Sequence, residues 1–151
     1  MKSVAFEIPM RLQAGPNQRL HWATRAKRVA AERAWVALCF PRGWGSVCTY
    51  TQHGLIVTLV RIAPREVDGD NLQGLLKGVR DEVALRLGLA SDRDERVAWV
   101  YGQESGTSVN GDKYAVRIEL VMVPADVRGT RSTGVPRQKR SRGSPNPRGR
   151  T

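Results

Sequence analysis

The chain has 151 residues, 40% of them hydrophobic, and a net charge of +11 from 25 Lys and Arg against 14 Asp and Glu. That length predicts a single domain with a core of its own, and that apolar content excludes a wholly disordered chain. No apolar run approaches the ~20 residues of a membrane span, and the first residues lack a signal-peptide apolar stretch. The expectation is therefore a cytoplasmic protein with no membrane partner.

In chain order, Val4 to Ile8 is short and β-prone, and Pro9 ends it or confines it to a sheet edge. Gly15-Pro16-Asn17 is turn chemistry. From Trp22 to Phe40, the residues Trp22, Ala26, Val29, Val36, Ala37 and Phe40 recur at helical spacing, interrupted by Arg33. Arg25, Lys27 and Arg28 make the early part of this helix basic. Pro41-Arg42-Gly43-Trp44-Gly45 breaks it. The strongest strand signal is Gly54 to Ile62. A helix follows over Asn71 to Leu87, where Leu72, Leu75, Leu76, Val79 and Val83 fall at i, i+3, i+4, i+7 and i+11 and predict one core-facing stripe. Gly74 and Gly78 lie off that stripe and each costs about 1 kcal/mol against Ala in a helix interior. Val97 to Tyr101 and Tyr114 to Val123 complete the set as strands, joined by a turn-rich loop over Glu104 to Lys113.

After Asp126 there is no acid, while eight of the basic residues, Arg128 to Arg150, lie in a stretch rich in Gly, Ser and Pro. The remainder is close to neutral, with 17 basic against 14 acidic residues. Residues 128–151 are predicted to be a disordered basic tail, either a sequence-independent nucleic-acid arm or simply a solvated segment. Residues 1–127 form the predicted domain.

One junction carries the chemistry. Val67-Asp68-Gly69-Asp70-Asn71-Leu72 places two carboxylates one residue apart where a strand hands over to a helix. Paired carboxylates suit a hard divalent cation, which can activate water and stabilise charge on a phosphate. Asp70 has a simpler reading as a helix N-cap. Asp68 has no such role, and beside Asp70 its charge is repelled unless a cation or proton intervenes. Lys77 lies two turns beyond Asp70, to pair with Asp81 or to contact a phosphate. A second acidic turn, Ser91-Asp92-Arg93-Asp94-Glu95-Arg96, directly precedes the Val97 strand; Asp is common in turns.

Two cysteines, Cys39 and Cys48, are too few for a disulfide framework and are read as reduced thiols; with two histidines, His21 and His53, they form no zinc motif. Neither histidine has a partner that marks it as a base. Trp22, Trp35, Trp44 and Trp99 are read as core or interface residues, with base stacking the lesser alternative.

Taken together, the order Asp-Gly-Asp-Asn-Leu, a Lys on the helix, Asp81, and an acidic turn leading into Arg96-Val97 closely resembles the RusA-type Holliday junction resolvases. Pro16-Asn17-Gln18-Arg19 leading into a basic helix is similar to that family's lead-in. The likeness spans Met1 to Val123, and its specific part runs from Asp68 to Val97. It implies an α+β domain with a small mixed sheet and two main helices, acting as a homodimer. It implies an endodeoxyribonuclease that uses Mg²⁺, or Mn²⁺ in its place, to cut four-way DNA junctions; a nuclease of other branched DNA is a weaker alternative.

Asp68 and Asp70 would be metal ligands, with Asp94 or Asp92 as the third according to how the turn is aligned. Lys77 matches the family's helix lysine only with three residues inserted near Gly74-Leu75-Leu76; otherwise Gly74 takes that place. Arg19, Arg25, Lys27, Arg28 and Lys77 would hold the DNA backbone. The rival expectation is a basic DNA-binding protein without catalysis, whose carboxylates only cap and turn.

Overall fold

In the computed structural model, which describes residues 2–12, 19–45 and 53–124, the chain runs β1 (Ser3–Ile8), α1 (Trp22–Cys39), β2 (His53–Ile62), α2 (Gly69–Leu75), α3 (Lys77–Arg86), β3 (Val97–Glu104) and β4 (Ala115–Pro124). The Gly15-Pro16-Asn17 turn, Cys48, the His53 side chain and the tail from Arg128 lie outside the described residues. This is a small mixed α+β fold.

The strands form one sheet in the order β1-β4-β2-β3. β4 pairs antiparallel with both β1 and β2, while β2 and β3 run parallel, from Leu55 beside Val97 to Ile62 beside Glu104. A parallel pair needs a long crossover, and here α2 and α3 supply it. The parallel ladder also carries β3 three residues past Tyr101, where the alternation in sequence fades.

Because side chains alternate across a strand, one face of the sheet collects Ile8, Val57, Leu59, Val116, Ile118 and Leu120, all fully buried. They pack with Leu76, Val79, Val83 and Leu87 of the crossover, also fully buried. Each such side chain contributes about 1.5–3 kcal/mol relative to exposure. The other face carries Arg117, which pairs with Glu7, Glu104 and Glu119 and so ties β1 and β3 to β4.

The helix expected over Asn71 to Leu87 is two helices, giving three among the described residues. Leu76, at φ −83° and ψ −1°, separates α2 from α3. Gly74 and Gly78 flank it, so helix propensity is weakest there. The apolar stripe survives the break, with Leu72, Leu75, Leu76, Val79 and Val83 all buried. Gly78 has a packing role: a Cβ there would stand 3.1 Å from Glu32 Oε2 and 3.4 Å from Val29 Cγ1 of α1.

Helix α1 packs on α3 and β1, yet Val36 is its only buried residue. Its main polar attachment is Glu82 of α3, 4% exposed, which accepts from Arg33 Nε at 2.8 Å and Arg86 Nε at 2.9 Å.

Candidate active site

Strand β2 delivers the chain to the acidic junction, and one side chain pins it there. Gln103 of β3 accepts from the Val67 N–H at 2.9 Å and donates to the Val67 carbonyl at 2.7 Å. Both backbone groups of the residue before Asp68 are thereby held. Sequence reading missed Gln103, because its role exists only once β3 lies parallel beside β2. Gln103→Ala should cost about 1–3 kcal/mol for two neutral hydrogen bonds, read as a lower urea midpoint at unchanged slope. An unchanged midpoint would show that the junction holds itself.

Asp68 occupies the N-cap position of α2 but makes no side-chain capping bond. Asp70 lies inside the first turn rather than at the cap, since the helix starts at Gly69, earlier than expected. The capping role expected of Asp70 is therefore absent. Both carboxylates are exposed, and neither has a hydrogen-bond or ion-pair partner among the described residues. Asp70 does place negative charge near the positive end of the helix, which is favourable.

The second acidic turn is reached through a glycine-capped helix end. Gly88 has φ +71°, and the N–H groups of Gly88 and Leu89 donate to Leu85 and Ala84, the paired bonds of a Schellman motif. Only glycine adopts this conformation without penalty, and a Cβ would also lie 3.2 Å from the Gly45 carbonyl oxygen. Gly88→Ala should destabilise the protein by about 1–2 kcal/mol, visible as a lowered thermal midpoint. A midpoint equal to wild type would contradict this.

Beyond that cap, Asp92 is held against α3. Its carboxylate pairs with Arg80 at 2.6 Å, and its carbonyl accepts from Trp99 Nε1 at 2.8 Å. Arg80 Nη1 also donates to Tyr101 Oη at 2.9 Å. Burial would depress the Arg80 pKa, but the Tyr101 hydrogen bond and the nearby Asp92 and Asp81 charges outweigh it and hold the guanidinium charged. Asp94 turns the other way, accepting from the Arg96 backbone at 3.0 Å and its side chain at 2.6 Å. It fastens the turn that feeds β3.

Among the described residues, no three His, Cys, Asp or Glu side chains are gathered to hold a metal ion. The donor set is thus two free carboxylates at the head of α2, with Asp92 and Asp94 engaged by arginines. Two carboxylates suit Mg²⁺, which keeps several waters and takes one or two protein carboxylates plus substrate phosphates.

Lys77 begins α3 and pairs with Asp81 at 2.7 Å, its side chain 62% exposed. It lies one turn before Arg80, on the helix face that holds Asp92. Arg19, Arg25 and Lys27 are exposed and Arg28 half-buried, all at or before the first half of α1. His21 caps that helix, its Nδ1 accepting from the Ala23 N–H at 3.3 Å.

The tryptophans divide. Trp44 is buried and Trp99 packs against the core, as expected. Trp22 is 76% exposed and Trp35 is 47% exposed, so Trp22 is not a core residue. No helix among the described residues is long and apolar enough to cross a membrane. The chain matches no protein-family model and no curated protein.

Proposed function

We propose that the protein is a Mg²⁺-dependent endodeoxyribonuclease that resolves four-way DNA junctions, as its resemblance to the RusA-type resolvases implies. The observation that carries this reading is the exposed pair Asp68 and Asp70, two like charges with no hydrogen-bond or ion-pair partner among the described residues. They would hold the metal. A divalent cation bound there would supply Lewis acidity toward the phosphate and a nucleophilic water at neutral pH.

The rest of the chain would position the DNA. Gln103 fixes the backbone under Asp68. Either Asp92 or Asp94 would be the third ligand, and each would first have to give up its arginine partner, Arg80 or Arg96. Lys77, whose pair with Asp81 is surface-exposed and weak, would exchange that partner for a phosphate. Arg19, Arg25, Lys27 and Arg28 would neutralise the backbone.

A symmetric junction needs two cuts, and a two-fold pair of chains would supply two sites. Such an enzyme would act in the cytoplasm.

The test is cleavage of a synthetic four-way junction beside linear duplex, with Mg²⁺ or with chelator. Paired, metal-dependent cuts in the junction alone are expected. Deleting residues 128–151 should weaken affinity and flatten its salt dependence yet leave cleavage measurable. Tight binding with no cleavage in either condition would overturn the nuclease in favour of a DNA-binding protein.

A further inference from the structure

Helix α1 is longer than the core that receives it. Its stripe of Trp22, Ala26, Val29, Val36 and Phe40 lies along one side of the helix. At the C-terminal end Val36 is buried and Phe40 packs against the core. At the N-terminal end the same stripe is uncovered, with Trp22 76% exposed. The contacts with α3 explain this. Val29 and Glu32 meet α3 at Gly78, and Arg33 meets it at Glu82. Contacts therefore advance in the same order along both helices, and the residues of α1 before Val29 lie beyond its contact with the start of α3.

The overhang has a distinct chemistry. Leu20, Trp22, Ala26 and Val29 line an open groove with Arg25 and Arg33. His21 stands beside Trp22, ring centroids 5.7 Å apart and tilted by 35°. Arg19 and Lys27 are exposed nearby, and the first turn of α1 carries no acid. Cations interleaved with exposed aromatic rings fit a ligand that is itself a polyanion carrying planar apolar groups. Single-stranded nucleic acid has that composition, and base–aromatic stacking is the means by which such surfaces bind it.

A helix lying in a membrane surface would instead segregate its apolar residues onto one face. Here Arg25 and Arg33 flank the Trp22 side, while exposed Trp35 and Leu38 point elsewhere around the helix.

We propose that Trp22, with His21 beside it, is a stacking platform for an unpaired base. It would receive nucleotides exposed at the centre or ends of a branched substrate. The inference rests on the nucleic-acid reading of the preceding section but assigns that reading a residue and a form of DNA.

The test uses the full chain in chelator, so that binding is read without cleavage. A labelled single-stranded oligonucleotide and a blunt duplex are titrated with wild type, Trp22→Ala and Trp22→Phe. Trp22→Ala should weaken single-strand binding by about tenfold and alter duplex binding by less than about twofold, while Trp22→Phe should keep most of the wild-type affinity. Because Trp22 is exposed, neither variant should lower the thermal midpoint.

If wild type and Trp22→Ala bind the single strand equally, the platform is wrong while the nucleic-acid reading stands. If wild type binds neither DNA, that reading itself fails. Binding to phosphatidylserine vesicles with a blue-shifted Trp22-dependent emission, and not to the oligonucleotide, would assign the overhang to membranes instead.

Discussion

Asp70→Asn should fold as wild type and, on the proposed nuclease reading, cut a four-way junction at least about a hundredfold more slowly in Mg²⁺. Replacing even the partners that orient metal ligands typically costs about 10–100-fold, and a direct ligand should cost more. The variant is a clean test because Asp70 is exposed and touches nothing that holds the fold. Its structural loss is confined to the favourable charge at the head of α2, about 0.3–1 kcal/mol. Asp92→Asn would be a poorer test, since it also unpairs Arg80. Single-turnover cleavage and thermal unfolding of the same preparations check both halves. Wild-type cleavage by Asp70→Asn would remove the proposed metal site.

The largest stability effect should come from Glu82. It is buried between Arg33 of α1 and Arg86 of α3, and it is the main polar attachment of α1, beside the apolar contacts of Val36 and Phe40. Breaking a buried ion pair from one side typically costs about 3–5 kcal/mol. Here the arginine side chains are 41% and 44% exposed and can turn to water, so Glu82→Ala should cost less, about 2–3 kcal/mol. Amide exchange in α1 should accelerate more than in the sheet. Uniform acceleration would show that α1 is anchored by other contacts.

The same group predicts a pH dependence. Burial alone would raise the Glu82 pKa, but hydrogen bonds from Arg33 and Arg86, with their charges, hold the carboxyl below its ordinary value. A depressed folded pKa means that the unfolded chain takes up the proton first as pH falls. The contribution is therefore fully present above the ordinary glutamate range and is lost as pH drops through that range toward the depressed value. Glu104 adds in the same direction, because the hydrogen bond from Arg117 lowers its pKa too. Wild type should lose stability below about pH 4.5 more steeply than Glu82→Gln. Parallel stability curves for the two would place the acid sensitivity elsewhere.

The sheet and its helical cover were legible in the residue pattern because periodicity is a local property. Gly54 to Ile62 and Tyr114 to Val123 read as strands by composition and alternation, and the leucine stripe from Leu72 to Val83 keeps one face inward even through the break at Leu76. The acidic junction was equally visible, since its spacing is written in consecutive residues.

Periodicity misplaced what depends on the neighbours of an element. The stripe of α1 is regular enough to predict burial of Trp22. Whether a stripe is covered, however, depends on how far the partner helix extends, and α3 starts only at Lys77. Asp92 and Asp94 are interchangeable in sequence, and only the return of the turn against Arg80, or against its own Arg96, separates their roles. Gln103 carries no motif at all. By itself the sequence determined which segments are strands and helices and where carboxylates and cations concentrate. The tertiary structure alone decided which of those charges are already neutralised by a partner and which remain free for a ligand, because pairing is set by distances between residues far apart in the chain.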